Sequence, residues 1–101
     1  MTYTKAGDMK DPGEGEMTGT KIGDKDILVV NLGGTLYAIG NKCTHMGCRL
    51  SMGKREGDQV KCKCHGSVFS LKTGEVIHGP AKNPETSYKV KIENGEVMID
   101  I

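Results

Sequence analysis

Two short segments in the middle of the chain combine cysteine with histidine, and they constrain the fold more than any other feature. The first segment reads Cys43-Thr44-His45-Met46-Gly47-Cys48, and the second reads Cys62-Lys63-Cys64-His65-Gly66-Ser67. Each segment offers one thiolate and one imidazole, and sixteen residues separate His45 from Cys62. Gly47 and Gly66 follow the two histidines, and glycine lets a backbone come close to a bulky inorganic centre. The spacing therefore predicts two loops that clamp one metal centre between them.

Residue chemistry alone leaves three metal centres open. A zinc ion bound by two Cys and two His is one of them, although zinc loops usually pair like ligands. Covalent haem is another, but it needs Cys-x-x-Cys-His, and the second segment is one residue short of that motif. The third is a [2Fe–2S] cluster with thiolates on one iron and imidazoles on the other. A thiol–disulfide oxidoreductase that uses Cys62 and Cys64 is disfavoured, because the pair lacks Cys-x-x-Cys spacing at a helix start.

The remaining sequence predicts an all-β domain. The apolar segments 27–32 and 36–39 flank Gly33-Gly34, and residues 88–92 and 97–101 alternate on either side of Asn94-Gly95. Both patterns are typical of β-hairpins. Shorter strands are expected at 59–63 and 68–71, and no segment has a sustained helical period. We expect one domain over residues 1–101, an antiparallel β-sandwich or barrel-like fold with a loop-built insert at about residues 41–84.

Charge and hydropathy exclude several classes of protein. The net charge of +1 argues against a nucleic-acid-binding protein, and no apolar run has the length of a membrane anchor. The first residues lack the apolar core of an export signal, so the chain is expected in the cytoplasm. Residues 41–72 carry a net charge of +5 and the rest −4. This asymmetry is consistent with a basic face for an acidic partner, and equally with lysines that only maintain solubility.

The two segments closely resemble the cluster-binding boxes of Rieske proteins, CTHxGC and CPCHGS. Residues 79–81, Gly-Pro-Ala, resemble the proline loop that covers the cluster in that family, and the approach to the second box and the terminal hairpin fit as well. The resemblance implies the Rieske fold and one [2Fe–2S] cluster per chain. It also implies a one-electron carrier, a monomer that works between a reductase and an oxygenase or another redox acceptor.

The resemblance also assigns roles to individual residues. Cys43 and Cys62 would bind the inner iron, and His45 and His65 the outer, solvent-facing iron. Ser67 would donate a hydrogen bond to a bridging sulfide. Further residues would surround the cluster, namely Met46, Gly47, Gly66 and Pro80. Cys48 and Cys64 occupy the positions that form a disulfide in the higher-potential branch, and a disulfide is preferred here over two free thiols because it would fix both loops.

Two positions depart from the family pattern. Lys63 stands where the family usually has proline, which loosens the loop and adds a positive charge. Phe69 replaces the tyrosine that in the high-potential branch bonds a cysteine sulfur, so one hydrogen-bond donor is missing and a lower reduction potential is expected.

His78 is expected to be an ordinary loop residue. Two alternative functions remain. The chain could be a small subunit of a larger reductase or oxygenase, or it could be a zinc-stabilised binding module.

Overall fold

The computed structural model describes residues 3–6, 13–42, 48–64, 66–79 and 83–100. In these residues the chain forms eleven short strands and one 3₁₀ turn, Leu50–Met52. No helix in these ranges is long and apolar enough to cross a membrane. The strands are β1 Tyr3–Lys5, β2 Met17–Ile22, β3 Lys25–Leu32, β4 Thr35–Gly40, β5 Lys54–Glu56, β6 Gln59–Lys61, β7 Val68–Ser70, β8 Val76–His78, β9 Ser87–Tyr88, β10 Val90–Glu93 and β11 Glu96–Asp100.

The strands form three antiparallel sheets. A terminal sheet has the order β1-β11-β10, a middle sheet the order β2-β3-β4-β9, and a third sheet the order β5-β6-β7-β8. The third sheet lies entirely within residues 54–78, so we call it the insert sheet. The all-β antiparallel fold is therefore confirmed.

Strand β3 explains why the sheets stack as they do. Its four central residues, Ile27 to Val30, are at most 1% exposed, so the strand is buried on both faces. Leu28 and Val30 pack with Val60, Phe69 and Leu71 of the insert region. The intervening positions, Ile27 and Val29, pack instead with apolar residues of the terminal sheet, namely Val97 and Ile99. Because neighbouring side chains of a strand point to opposite faces, the middle sheet separates two apolar cores.

Both predicted hairpins are present. Strands β3 and β4 pair around Gly33-Gly34, and β10 and β11 pair around Asn94-Gly95. All four turn residues have positive φ, between 53° and 92°, as two-residue hairpin turns of type I′ require. Tyr88 differs from the expectation, because it belongs to β9 and pairs with Ala38 of β4 rather than continuing into the terminal hairpin.

The insert contains more regular structure than its sequence indicates. The strands expected at 59–63 and 68–71 are present in the shorter forms β6 and β7, which pair with each other. Strands β5 and β8, three residues each, were not predicted, because three residues are too few to show a period. His78 was expected in a loop, but it ends β8 and is exposed. The limits of the cluster-binding subdomain stay a prediction.

Candidate metal centre

The described residues of the second Cys/His box lie in a tight turn between β6 and β7. The Cys62 amide donates to the Ser67 carbonyl at 2.7 Å, and the Gly66 amide donates to the Cys62 carbonyl at 3.1 Å. Gly66 has φ 78°, a conformation that residues with a Cβ rarely adopt. Cys62 and Ser67 thus close the base of the turn where β6 ends and β7 begins.

Cys62 is the free cysteine of the described residues, and its side chain is buried. Only 2% of the residue is exposed, and it belongs to the core that also holds Leu50, Val60 and Phe69. Ser67, whose carbonyl accepts the Cys62 amide, is fully buried as well. Cys62 is thus the first residue of a turn and also a member of a hydrophobic core. A thiol in this position can bind a metal centre while the core shields it from water.

The first box is fixed at its two ends. Lys42 and Arg49 form an isolated antiparallel bridge, so the chain leaves and returns at neighbouring points. The buried side chain of Asn41 accepts the Ser51 amide at 2.8 Å and donates to Asp26 Oδ1 at 3.0 Å. Asp26 lies in β3, and its other carboxylate oxygen is 3.0 Å from Arg49 Nε. This polar network anchors the base of the first box to the middle sheet.

A disulfide between Cys48 and Cys64 joins the two boxes, with the Cα atoms 6.5 Å apart. The predicted disulfide is therefore confirmed. The sulfur atoms of Cys48, Cys62 and Cys64 all lie within 4.8 Å of one another. The cross-link thus brings the last residue of the first box against the buried thiol of the second.

Part of the predicted site can be placed in the structure. Cys62, Gly66 and Ser67 share one turn, and the disulfide lies beside it. The other predicted site residues lie outside the described residues: Cys43, His45, Met46, Gly47, His65 and Pro80. The complete ligand set therefore stays a prediction.

The anchoring network was missed by sequence reasoning. Asn41 directly precedes the first box, but its contact with Asp26 crosses fifteen residues and depends on the register of the β3–β4 hairpin. Asn and Asp are also frequent in turns. The only available signal was a polar residue immediately before a metal-binding loop, and that signal is weak.

Comparison with known proteins agrees with this geometry. A family model described as the Rieske [2Fe-2S] domain matches residues 2–92. The chain is 36% identical to the ferredoxin component of the naphthalene 1,2-dioxygenase/salicylate 5-hydroxylase systems of Ralstonia sp., over 98% of this chain and 95% of that protein. It is also 38% identical to the cytochrome b6-f complex iron-sulfur subunit of Chlorobaculum tepidum, over 80% of this chain, but it spans only 44% of that subunit.

Two solved structures share the fold. The ferredoxin of carbazole 1,9a-dioxygenase from Nocardioides aromaticivorans superimposes with a TM-score of 0.87 at 25% identity, covering 98% of this chain and 97% of that chain. A chain of the complex of reduced oxygenase and oxidized ferredoxin in carbazole 1,9a-dioxygenase gives a TM-score of 0.80 at 29% identity, covering 98% of this chain and 90% of that chain. Both matches extend over nearly the whole chain.

Replacing Cys48 and Cys64 together by serine is expected to lower the free energy of unfolding by about 3 kcal/mol, because the bond closes a loop of about sixteen residues in the unfolded chain. Urea denaturation of the metal-free proteins without reductant measures the difference. In dithiothreitol the two proteins should unfold at the same urea concentration. A gap that persists in dithiothreitol would mean that the serines act through packing and not through the cross-link.

Proposed function

This chain belongs to the family of Rieske [2Fe–2S] domains, and we propose that it carries single electrons from a reductase to an oxygenase. One observation carries the proposal: a buried free thiol, Cys62, lies beside a disulfide that holds two Cys/His boxes together. The match to the Ralstonia ferredoxin component along almost the full length of both chains supports the same function. The chain itself would be a carrier and not a catalyst.

Rieske domains bind a [2Fe–2S] cluster, and the described residues fit that group. We propose that Cys43 and Cys62 hold one iron, that His45 and His65 hold the other, and that the cluster-binding subdomain extends over about residues 41–84. Such a cluster supplies a one-electron couple, and neutral imidazole ligands place its potential in the range of roughly −150 to +300 mV. The burial of Cys62 suits this donor set, since a thiolate ligand that is shielded from water is retained more firmly.

The protein contributes rigidity and exclusion of water. The disulfide and the Asn41 network limit how far the two boxes can separate, and the Cys62–Ser67 hydrogen bond fixes the base of the second box. Phe69 packs in the same core as Cys62 and is fully buried. An electron carrier benefits from this arrangement, because a site that changes little between redox states exchanges electrons at low reorganisation cost.

A second function has a specific observation in its favour. One relative of this chain is named as the iron–sulfur subunit of a cytochrome b6-f complex, so that relative is part of a larger assembly. The chain would then be a small electron-transfer subunit and not a diffusing carrier. A stable partner that co-purifies with the tagged chain at physiological salt would favour this alternative.

The first experiment is a visible and electron-paramagnetic-resonance spectrum of the purified protein before and after dithionite. The expected result is a red-brown protein whose reduced form has the low average g value of mixed His/Cys ligation, with two iron and two acid-labile sulfide per chain. Replacing Cys62 by serine should abolish that signal. Replacing Cys64 by serine is the matched control, because it changes a cysteine two residues away that is not a proposed ligand, and it should leave the signal in place.

A colourless protein with one zinc and no acid-labile sulfide would contradict the electron-transfer function. It would favour instead a zinc-stabilised module that only binds a partner.

The Phe69→Tyr variant should have a higher reduction potential than the natural protein. A hydroxyl that donates to a cysteine sulfur and favours the reduced state by about 1 kcal/mol corresponds to roughly 40 mV for one electron. A redox titration followed by electron paramagnetic resonance measures the shift. Phe69→Leu is the control, since it disturbs the same core position without supplying a donor. An equal shift in both variants would show that packing, and not the hydroxyl, sets the potential.

We further propose that the protein works in the cytoplasm, as a ferredoxin component that meets its reductase and oxygenase in solution. Fractionation of the source cells, with an antibody against the chain, tests this. Recovery in the cytoplasmic fraction is expected, and recovery with the membranes would contradict it.

A further inference from the structure

The exposed side chains around the disulfide are almost all basic. Two adjoining concavities meet there, and both are lined by Met52 and Lys63. Apart from cysteines, the apolar side chain that lines both is Met52, which is 65% exposed and is the most exposed of the large apolar side chains described. The basic residues that line the two concavities are Arg49, Lys54, Lys61 and Lys63. We call this surface, with Met52 at its centre, the basic face.

Arg49 is paired with Asp26 Oδ2 at 3.0 Å, but the three lysines of the basic face are not neutralised by the described residues. Lys54 of β5 and Lys61 of β6 are directly opposite each other in the antiparallel register, which places two like charges side by side. Like charges in that position destabilise a sheet. Within the part of the chain that the structure describes, no carboxylate lies within salt-bridge distance of Lys54, Lys61 or Lys63. The terminal sheet differs, since Lys5 pairs with Glu96 at 3.1 Å and Lys91 with Glu93 at 3.2 Å.

The basic face is adjacent to the metal-binding boxes. The Cε atom of Lys61 would lie 3.4 Å from a Cβ on Gly66, so this side chain passes over the turn of the second box. Lys63 lies within that box, between Cys62 and the disulfide-bonded Cys64. Arg49 follows directly after Cys48, the other end of the disulfide. A partner bound to these residues would contact both boxes at once.

Met52 is held in this position by the backbone. The Leu50–Met52 turn ends at Gly53, where a Cβ would collide with the carbonyl oxygen of Lys61. Leu50 is fully buried, while Met52 two residues later points away from the core. The contact between Gly53 and β6 therefore fixes an exposed apolar side chain beside the unpaired lysines. A flexible, polarizable Met side chain is well suited to a contact with another protein.

We propose that the basic face is the docking surface for an acidic redox partner, whose carboxylates surround an apolar contact for Met52. The proposal rests on the proposed function and adds to it the chemistry of the partner's surface. Unpaired lysines steer an oppositely charged protein and raise its association rate, and a buried apolar contact at the centre contributes to affinity. Docking here places the partner against the turn that follows Cys62, which is where electrons would leave or enter.

The test uses the complete iron-loaded protein on a gold electrode coated with a mixed monolayer of carboxylate- and methyl-terminated alkanethiols. The natural protein should adsorb and exchange electrons with the electrode, and the current should fall as salt is added. Lys54→Glu should reduce the adsorbed amount about tenfold. Lys89→Glu makes the same change of charge between β9 and β10, outside the basic face, and should change the adsorbed amount less than twofold. Met52→Ser should weaken adsorption without altering charge.

Two further measurements distinguish a loss of docking from a loss of folding and from a failure of the proposed function. The urea midpoint of Lys54→Glu should rise, because a like-charge pair becomes an opposite-charge pair with Lys61. If that variant fails to load iron, Lys61→Glu tests the same pair. Equal losses for Lys54→Glu and Lys89→Glu, or no loss for either, would overturn the docking surface. A protein without a reducible [2Fe–2S] signal in solution would instead contradict the proposed function, whatever the electrode shows.

Discussion

The metal-binding end of this protein depends on keeping two loops from different strands at a fixed separation. The Cys48–Cys64 disulfide does this covalently, and the Asn41 network does it with hydrogen bonds to Ser51 and Asp26. The two devices act at different places, since the disulfide joins the two boxes at one point and the polar network fixes the base of the first box. Together they give a small domain, whose core has limited capacity to order long loops, a defined site for a metal centre.

Sequence patterns predict the strands of the middle and terminal sheets better than those of the insert sheet. The hairpin around Asn94-Gly95 and the buried run that becomes β3 could be identified because both signals are local and strong. Strands β5 and β8 could not, since they exist only through pairing with their neighbours. The Asn41–Asp26 contact was also inaccessible, because it depends on the pairing of distant segments. The disulfide was anticipated only through family resemblance, as spacing alone permits several pairings.

The two ends of the domain differ in how their charged side chains are paired. At the terminal sheet, the described ion pairs join residues on the same sheet and are exposed, so each contributes little to stability. At the metal-binding end, Lys54 and Lys61 face each other at a cost in stability. Natural proteins commonly tolerate such a local cost at functional sites.

The separation of the two apolar cores has a consequence for how the sequence can vary. The core between the middle and terminal sheets is built around Ile27, Val29, Val97 and Ile99, and none of its described members belongs to either Cys/His box. The other core includes Cys62 itself. Substitutions in the first core act on the stability of the fold, whereas substitutions in the second also act on the surroundings of the buried thiol. The two cores therefore tolerate sequence change to different degrees, although one strand, β3, contributes to both.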